Sequence, residues 1–338
     1  MEDEILVFIQ ASADLQHALT IYEKHENNKF HICVVNVYLI YNFITELKLK
    51  NTRIEFYNYI NINYKNPFTY NLSKNKFKEI WENNFKYKSY SKIYFFSRFY
   101  DWFTIGLVCK FLLTNNTPVV YYEHYDDTSI KNDIKYPILK LKYYKHLIES
   151  RIVSYISSAK FTSRYFTRYL EFKYWEYNIL KENISKPIIN NNYLYKLKTV
   201  NNNVIIFLSP SEIEMIKQSS VNLIREIITE LKKTNNNVIL KGHPRLGTPT
   251  ELTSEFDEII PNYIPSEFID YHNVNLVIGI ISTALNFASH NSKIKVISII
   301  KLIDFKDEDK KCFFYNYLNE LSSNKISFIE NKNIIYES

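Results

Sequence analysis

Apolar positions in the first half of the chain fall into short, β-branched runs separated by stretches with helical periodicity. Residues 5–9, 32–37, 53–57, 92–96 and 119–122 have the length and make-up of strands. Between them, ADLQHALTIYEKH, YLIYNFITELKL and WFTIGLVCKFLL carry a helical pattern. That alternation predicts parallel β-α-β units. Over residues 186–203 the rhythm stops, and a proline with two asparagine clusters predicts a linker. It restarts with VIIFLS, a long helix over 212–233 and a strand in NVILKGHP. FDEIIP, a short helix from Ser266, NLVIGI, a helix from Ser282 and KVISII follow. The predicted architecture is α/β: two Rossmann-like, doubly wound domains, residues 1–190 and 200–338, facing each other across a cleft. No fixed-period repeat suggests a solenoid.

Composition narrows the classes. A chain of 338 residues is long for one hydrophobic core and comfortable for two. Its 46% hydrophobic and 23% charged residues are those of a globular protein. The 29 tyrosines and 23 phenylalanines, with abundant Asn and Lys, match the codon bias of an AT-rich genome better than a binding code. Cys33, Cys109 and Cys312 lie far apart, so no zinc site or disulfide framework is expected. The acidic start MEDEILVFIQ is unlike a signal peptide, and no apolar run approaches the roughly 18 residues of a membrane span. The expected location is cytoplasmic, at most peripheral at the inner face of the membrane. The net charge of +6 is concentrated between Lys131 and Lys181, interleaved with aromatics. That stretch reads either as a patch for anionic lipid or as solvated helix faces, and no nucleic-acid partner is expected. With four glycines in the chain there is neither a G-x-G-x-x-G nor a Walker loop, which argues against a dinucleotide dehydrogenase or a P-loop ATPase. Any phosphate must be held by helix N-termini, hydroxyls and side chains.

Four segments could carry chemistry at strand ends, where ligands bind in doubly wound sheets. In NVILKGHPR the strand ends at Leu240, Gly242 allows a tight turn, and Pro244 sets the exit direction. His243 is then presented where an imidazole can donate to a phosphate and stabilise a leaving nucleotide, with Lys241 and Arg245 adding positive field. In NLVIGIISTALNFASH, Ser282 and Thr283 open a helix and serve as caps or as an anion site. Glu267, in the first turn after Pro265, either accepts ribose hydroxyls or simply favours the helix dipole. In VVYYEHYDDTS the strand delivers Glu123, His124, Asp126 and Asp127, titratable groups suited to activating an acceptor hydroxyl. Near the N-terminus, Ser12 and Asp14 are placed to cap the first helix, Gln16 to face the cleft, and His17 to pack. No Asp-x-Asp metal motif is recognised, the Asp307–Asp309 run falling in a lysine-rich helix, so no essential metal or other cofactor is expected.

These islands resemble the bacterial sialyltransferases of the lipooligosaccharide-sialyltransferase and capsular polysialyltransferase type. KGHP (241–244), YIPSEF (263–268), GIISTAL (279–285) and the opening strand followed by Ala-Asp-Leu-Gln are similar in order and spacing. The resemblance implies the two-domain fold called GT-B and inverting, metal-independent transfer from CMP-sialic acid to a hydroxyl of a bacterial surface glycan. O-antigen, lipooligosaccharide and capsule, or their lipid-linked precursors, are the acceptors it implies. It assigns the phosphate to His243, Ser282 and Thr283, the ribose to Glu267, and a pocket-lining place to Ser209. Where that family carries acidic-acidic-Gly, this chain has Glu123-His124-Tyr125, so His124 takes the slot of the base and Asp126 or Asp127 is the alternative. Two other readings share the donor-side motifs: a CDP-glycerol or CDP-ribitol phosphotransferase of the teichoic-acid type, and a non-catalytic, degenerate transferase subunit.

Overall fold

The computed structural model describes residues 4–58, 66, 68–96, 102–115, 117–123, 151–152, 154–158, 180–183, 189–199, 201–244, 246–290, 293–322 and 325–336. The chain divides into two compact units, Met1–Ile189 and Asn190–Ser338. Each is built around its own parallel sheet.

In the first unit the strands are β1 (Glu4–Ile9), β2 (Lys29–Val35), β3 (Thr52–Tyr57), β4 (Lys92–Phe95), β5 (Val119–Glu123) and β6 (Leu180–Asn183). Among the described residues they lie in the order β3-β2-β1-β4-β5-β6, every pair parallel. The helices between them are α1 (Ser12–Lys24), α2 (Tyr38–Glu46), α3 (Phe68–Ile80) and α4 (Trp102–Asn115). α3 runs on into a π-helical turn, Trp81–Phe85, that the apolar periodicity does not announce. Helices on a parallel sheet bury its strands, which is why β1 and β2 read as continuous apolar runs instead of alternating ones. Much of the aromatic excess sits here: Phe8, Phe77, Phe85, Phe103, Phe111 and Tyr121 belong to one buried cluster.

The second unit repeats the plan. Its strands are β7 (Asn203–Phe207), β8 (Asn237–Lys241), β9 (Glu258–Ile260), β10 (Val274–Gly279), β11 (Lys295–Ser298) and β12 (Ser327–Phe328). They are ordered β12-β11-β10-β7-β8-β9, again all parallel. Numbered from the first strand of each unit, both sheets have the order 3-2-1-4-5-6 of the Rossmann fold. The core here is aliphatic, with Val204, Ile206, Ile224, Ile228, Leu240 and Ile278 at its centre. The helices are α5 (Pro210–Met215), α6 (Gln218–Lys233), α7 (Ala284–Ala288) and α8 (Glu308–Ser322).

Two expectations change in this unit. The single helix expected over 212–233 is broken into α5 and α6, because Ile216 is extended and forms an isolated bridge with Phe305. The Lys217 amide donates to the Asp304 carbonyl and the Lys306 amide to the Met215 carbonyl, at 2.8 and 2.9 Å. The helix expected from Ser282 is only five residues long and begins at Ala284. The segment expected as a linker is tied to the second unit along part of its length. Tyr195 forms a parallel bridge with Ile269, and its hydroxyl donates to the buried Glu258 carboxylate at 3.0 Å.

Candidate functional site

The strand order of the second unit reverses between β7 and β10, so the crevice beyond their carboxyl ends is the place where a doubly wound sheet takes a ligand. β7 ends at Phe207 and β8 at Lys241, and the Leu208 amide donates to the Lys241 carbonyl at 3.2 Å, holding the two ends together. Ser209 then caps α5. Its hydroxyl accepts from the Glu212 amide at 3.3 Å, while Glu212 reaches back to the Ser209 amide at 2.7 Å, a reciprocal capping box. The same hydroxyl donates to the Glu212 carboxylate at 2.8 Å, and Ser209 is only 5% exposed.

Lys241 differs from the outward cation that its motif suggests. It is 2% exposed, and its Nζ donates to the Gly242 carbonyl at 2.7 Å and towards the Asn262 carbonyl at 3.5 Å. Burial pulls its pKa down to about 8 against the opposing pull of the Glu267 carboxylate. Gly242 is required by close approach: a Cβ there would lie 2.5 Å from Asn262 Oδ1 and 2.7 Å from the Gly247 carbonyl. Thr248 Oγ1 donates to the same Asn262 oxygen at 2.8 Å, closing the turn.

His243 is exposed just beyond that strut. Its amide and carbonyl pair with those of Gly247, both at 2.9 Å, across a loop that Gly247 completes with φ 87°. The Leu246 amide donates to His243 Nδ1 at 3.2 Å. In the neutral ring that bond leaves the proton on Nε2, the form in which an imidazole donates to a phosphate oxygen. Pro244 follows half-buried, and Arg245 lies outside the described residues.

Glu267 stands in a 3-10 turn, Ser266–Phe268, entered through Pro265, and its carboxylate accepts from the Ser266 hydroxyl at 3.1 Å. The nearby Tyr271 hydroxyl donates to the Ser266 carbonyl at 3.1 Å, and its ring lies 6.3 Å from that of Phe287. Phe287 belongs to α7, so the turn bearing Glu267 and the helix behind Ser282 and Thr283 are neighbours. The Ser282 hydroxyl accepts from the Ala284 amide at 3.3 Å, and Thr283 is exposed. Ser209, Lys241, Gly242, Glu267, Ser282 and Thr283 thus gather at one end of one sheet, with His243 at its rim. Glu212, Thr248, Asn262 and Tyr271 belong to the same end and were not among the predicted site residues. Only Glu212 had a legible signal, the Ser-x-x-Glu spacing that opens a helix.

The first unit is less completely described. Glu123 is the last residue of β5, whereas His124, Asp126 and Asp127 lie outside the described residues, as does most of the basic stretch between Lys131 and Lys181. Ser12 is not the cap of α1. Asp14, the other residue expected to cap it, does so from the third helical position, accepting from the Gln10 and Ala11 amides at 2.8 and 2.9 Å; Ala11 is the N-cap and Ser12 the first helical residue. Gln16 is half-buried on α1, and His17 packs between the rings of Tyr122 and Phe96 at 5.5 and 6.3 Å. At this sheet's own reversal point, between β1 and β4, Gln10 donates to Thr104 of α4 at 2.6 Å.

No protein-family model matches the chain, and neither does any curated protein. Solved structures do match. The glycotransferase of kitacinnamycin superposes with a TM-score of 0.50 at 7% identity, over 97% of this chain and 86% of that one. The chain has the GT-B fold. A UDP-glucose:anthocyanidin 3-O-glucosyltransferase in complex with UDP aligns at a TM-score of 0.46, with 11% identity over 98% of this chain and 86% of that one. MurG from Acinetobacter baumannii aligns at 0.38, with 10% identity over 99% and 89%. At such identities the GT-B likeness is one of fold.

Proposed function

We propose that this GT-B chain is an inverting, metal-independent glycosyltransferase that moves sialic acid from CMP-sialic acid to a hydroxyl of a bacterial surface glycan. The observation that carries the reading is the His243 turn. The Leu246 amide commits Nδ1 as an acceptor, so the neutral ring donates from Nε2 at the end of the sheet where Glu267 and Ser282 also stand. In the reaction the acceptor oxygen bonds to the anomeric carbon as the bond from that carbon to the CMP phosphate oxygen breaks. The acceptor proton passes to a base, which we assign to the segment Glu123–Asp127, with His124, Asp126 and Asp127 as the candidates. The negative charge that develops on the phosphate is met by the His243 N–H, with Ser282 and Thr283 beside it, in place of a metal. Glu267 accepts from the ribose hydroxyls, while Lys241, Gly242, Pro244 and Ser209 shape the turn and the strand ends that hold these groups. Ser12 and Gln16 are assigned to the acceptor side. The basic stretch of the first unit would keep the enzyme at the anionic inner face of the membrane, close to a lipid-linked acceptor.

The test is CMP release from CMP-sialic acid in the presence of a galactoside. His243→Ala is expected to lower kcat about 100-fold, the scale of one lost donor to developing charge. Undiminished turnover by H243A, or CMP release from CDP-glycerol but not from CMP-sialic acid, would overturn the proposal.

A further inference from the structure

Glu212 is a carboxyl group in the interior, 5% exposed, and its partners are two backbone amides and a hydroxyl. A capping box needs only one of its oxygens, and a glutamate in that role is ordinarily left at the surface. Here Oε2 accepts from both the amide and the hydroxyl of Ser209, at 2.7 and 2.8 Å. Oε1 turns the other way and accepts from the Ile281 amide at 3.1 Å, sixty-nine residues along the chain. Burial drives its pKa up, against the Ser209 hydroxyl, the Ile281 amide and the Ser209 amide, which draw it down. Taking a carboxyl out of water is unfavourable unless hydrogen bonds compensate, and capping α5 alone requires neither the burial nor the bond that Oε1 makes to Ile281.

What the placement does is join the carboxyl ends of β7 and β10 across the reversal point of the sheet. Ile281 is the residue before Ser282, so its peptide sets where the Ser282-Thr283 pair stands. On the opposite flank the same strand end is held by the fully buried Ser298, whose hydroxyl donates to the Ile280 carbonyl at 2.8 Å. The Ile299 amide donates to the Gly279 carbonyl at 3.0 Å. We infer that Glu212 is a positioning residue: it locks the loop bearing Ser282 and Thr283 against Ser209 and so pre-forms the phosphate subsite of the donor. This rests on the donor-site reading above, with phosphate recognition, not base recognition, as its object.

The experiment compares affinities for a nucleoside monophosphate and its nucleoside, CMP against cytidine and UMP against uridine, by calorimetry on the full chain. In Glu212→Gln the amide offers one acceptor, and its NH2 faces an N–H donor, so one strand end is released. E212Q is expected to bind CMP about tenfold more weakly while cytidine affinity is unchanged. Glu212→Asp, which keeps the charge and loses reach, should show the same selective loss and serves if E212Q does not fold. Wild-type CMP affinity in a folded variant, or equal losses for CMP and cytidine, would refute the positioning role. Should the wild type prefer UMP, the cytidine donor falls while the UMP-to-uridine ratio still decides on Glu212. Should it bind neither monophosphate, both readings fall.

Discussion

Lys241 shows how far a residue's neighbourhood can redirect its motif. In a Lys-x-His-Pro turn the lysine reads as positive field for an anion, yet it lies inside, bonded to the carbonyls of Gly242 and Asn262. The sign of its effect follows from its pKa of about 8 against an ordinary 10.5. Between those values the unfolded chain binds the proton and the folded one does not, so stability rises with pH across the window from about 8 to 10.5. The melting temperature of the wild type should therefore gain on that of Lys241→Met over this range, a difference in which the titration of other groups cancels. Nucleotide affinity should move oppositely, weakening above about pH 8 as the ammonium that balances Glu267 is lost. A flat difference in melting temperature across the window would show that the ammonium is not desolvated.

Among elements, the 190–199 segment is the case where local composition misleads most. Asparagines and a lack of period read as a passive connector, but Tyr195 and the Lys198 amide both bind Glu258, at 3.0 Å each. Tyr195 also pairs through its backbone with Phe268 and Asp270, on either side of Ile269, where the turn that carries Glu267 ends. Removing the hydroxyl with Tyr195→Phe leaves a buried carboxylate short of one donor. That is expected to cost about 1–3 kcal/mol, read as a lower urea midpoint at an unchanged slope. The broken helix follows the same logic. Residues 212–233 have helical character throughout, but pairing with residues 304–306 extends the chain at Ile216. Neither partner is visible within a window of the sequence.

At the scale of the molecule, both units carry the strand order 3-2-1-4-5-6 and have separate buried cores. All the residues assigned to the donor lie in the second unit. Expressed alone, 190–338 should therefore melt cooperatively and bind CMP with affinity within about threefold of the full chain, while releasing none from CMP-sialic acid. Calorimetry and the turnover assay read the two halves of that outcome independently. A fragment that folds but binds no nucleotide would place essential donor contacts in the first unit.

The sequence by itself determined the run of strands and helices, because burial on both faces of a parallel strand leaves an unbroken apolar run that any short window records. It also determined that KGHP, Glu267 and Ser282-Thr283 follow strands or short helices, since strand ends are local events. Tertiary structure alone decided that Lys241 turns inward and that Gly242 is needed for close approach to Asn262 and Gly247. It likewise decided that Glu212 meets Ile281. Those outcomes depend on which segments the crossovers bring side by side. Lys241 begins as the cation of a phosphate turn and ends as an internal strut of it, because the Gly242 turn and the segment at Asn262 that follows β9 supply its ammonium with carbonyl acceptors and bury it.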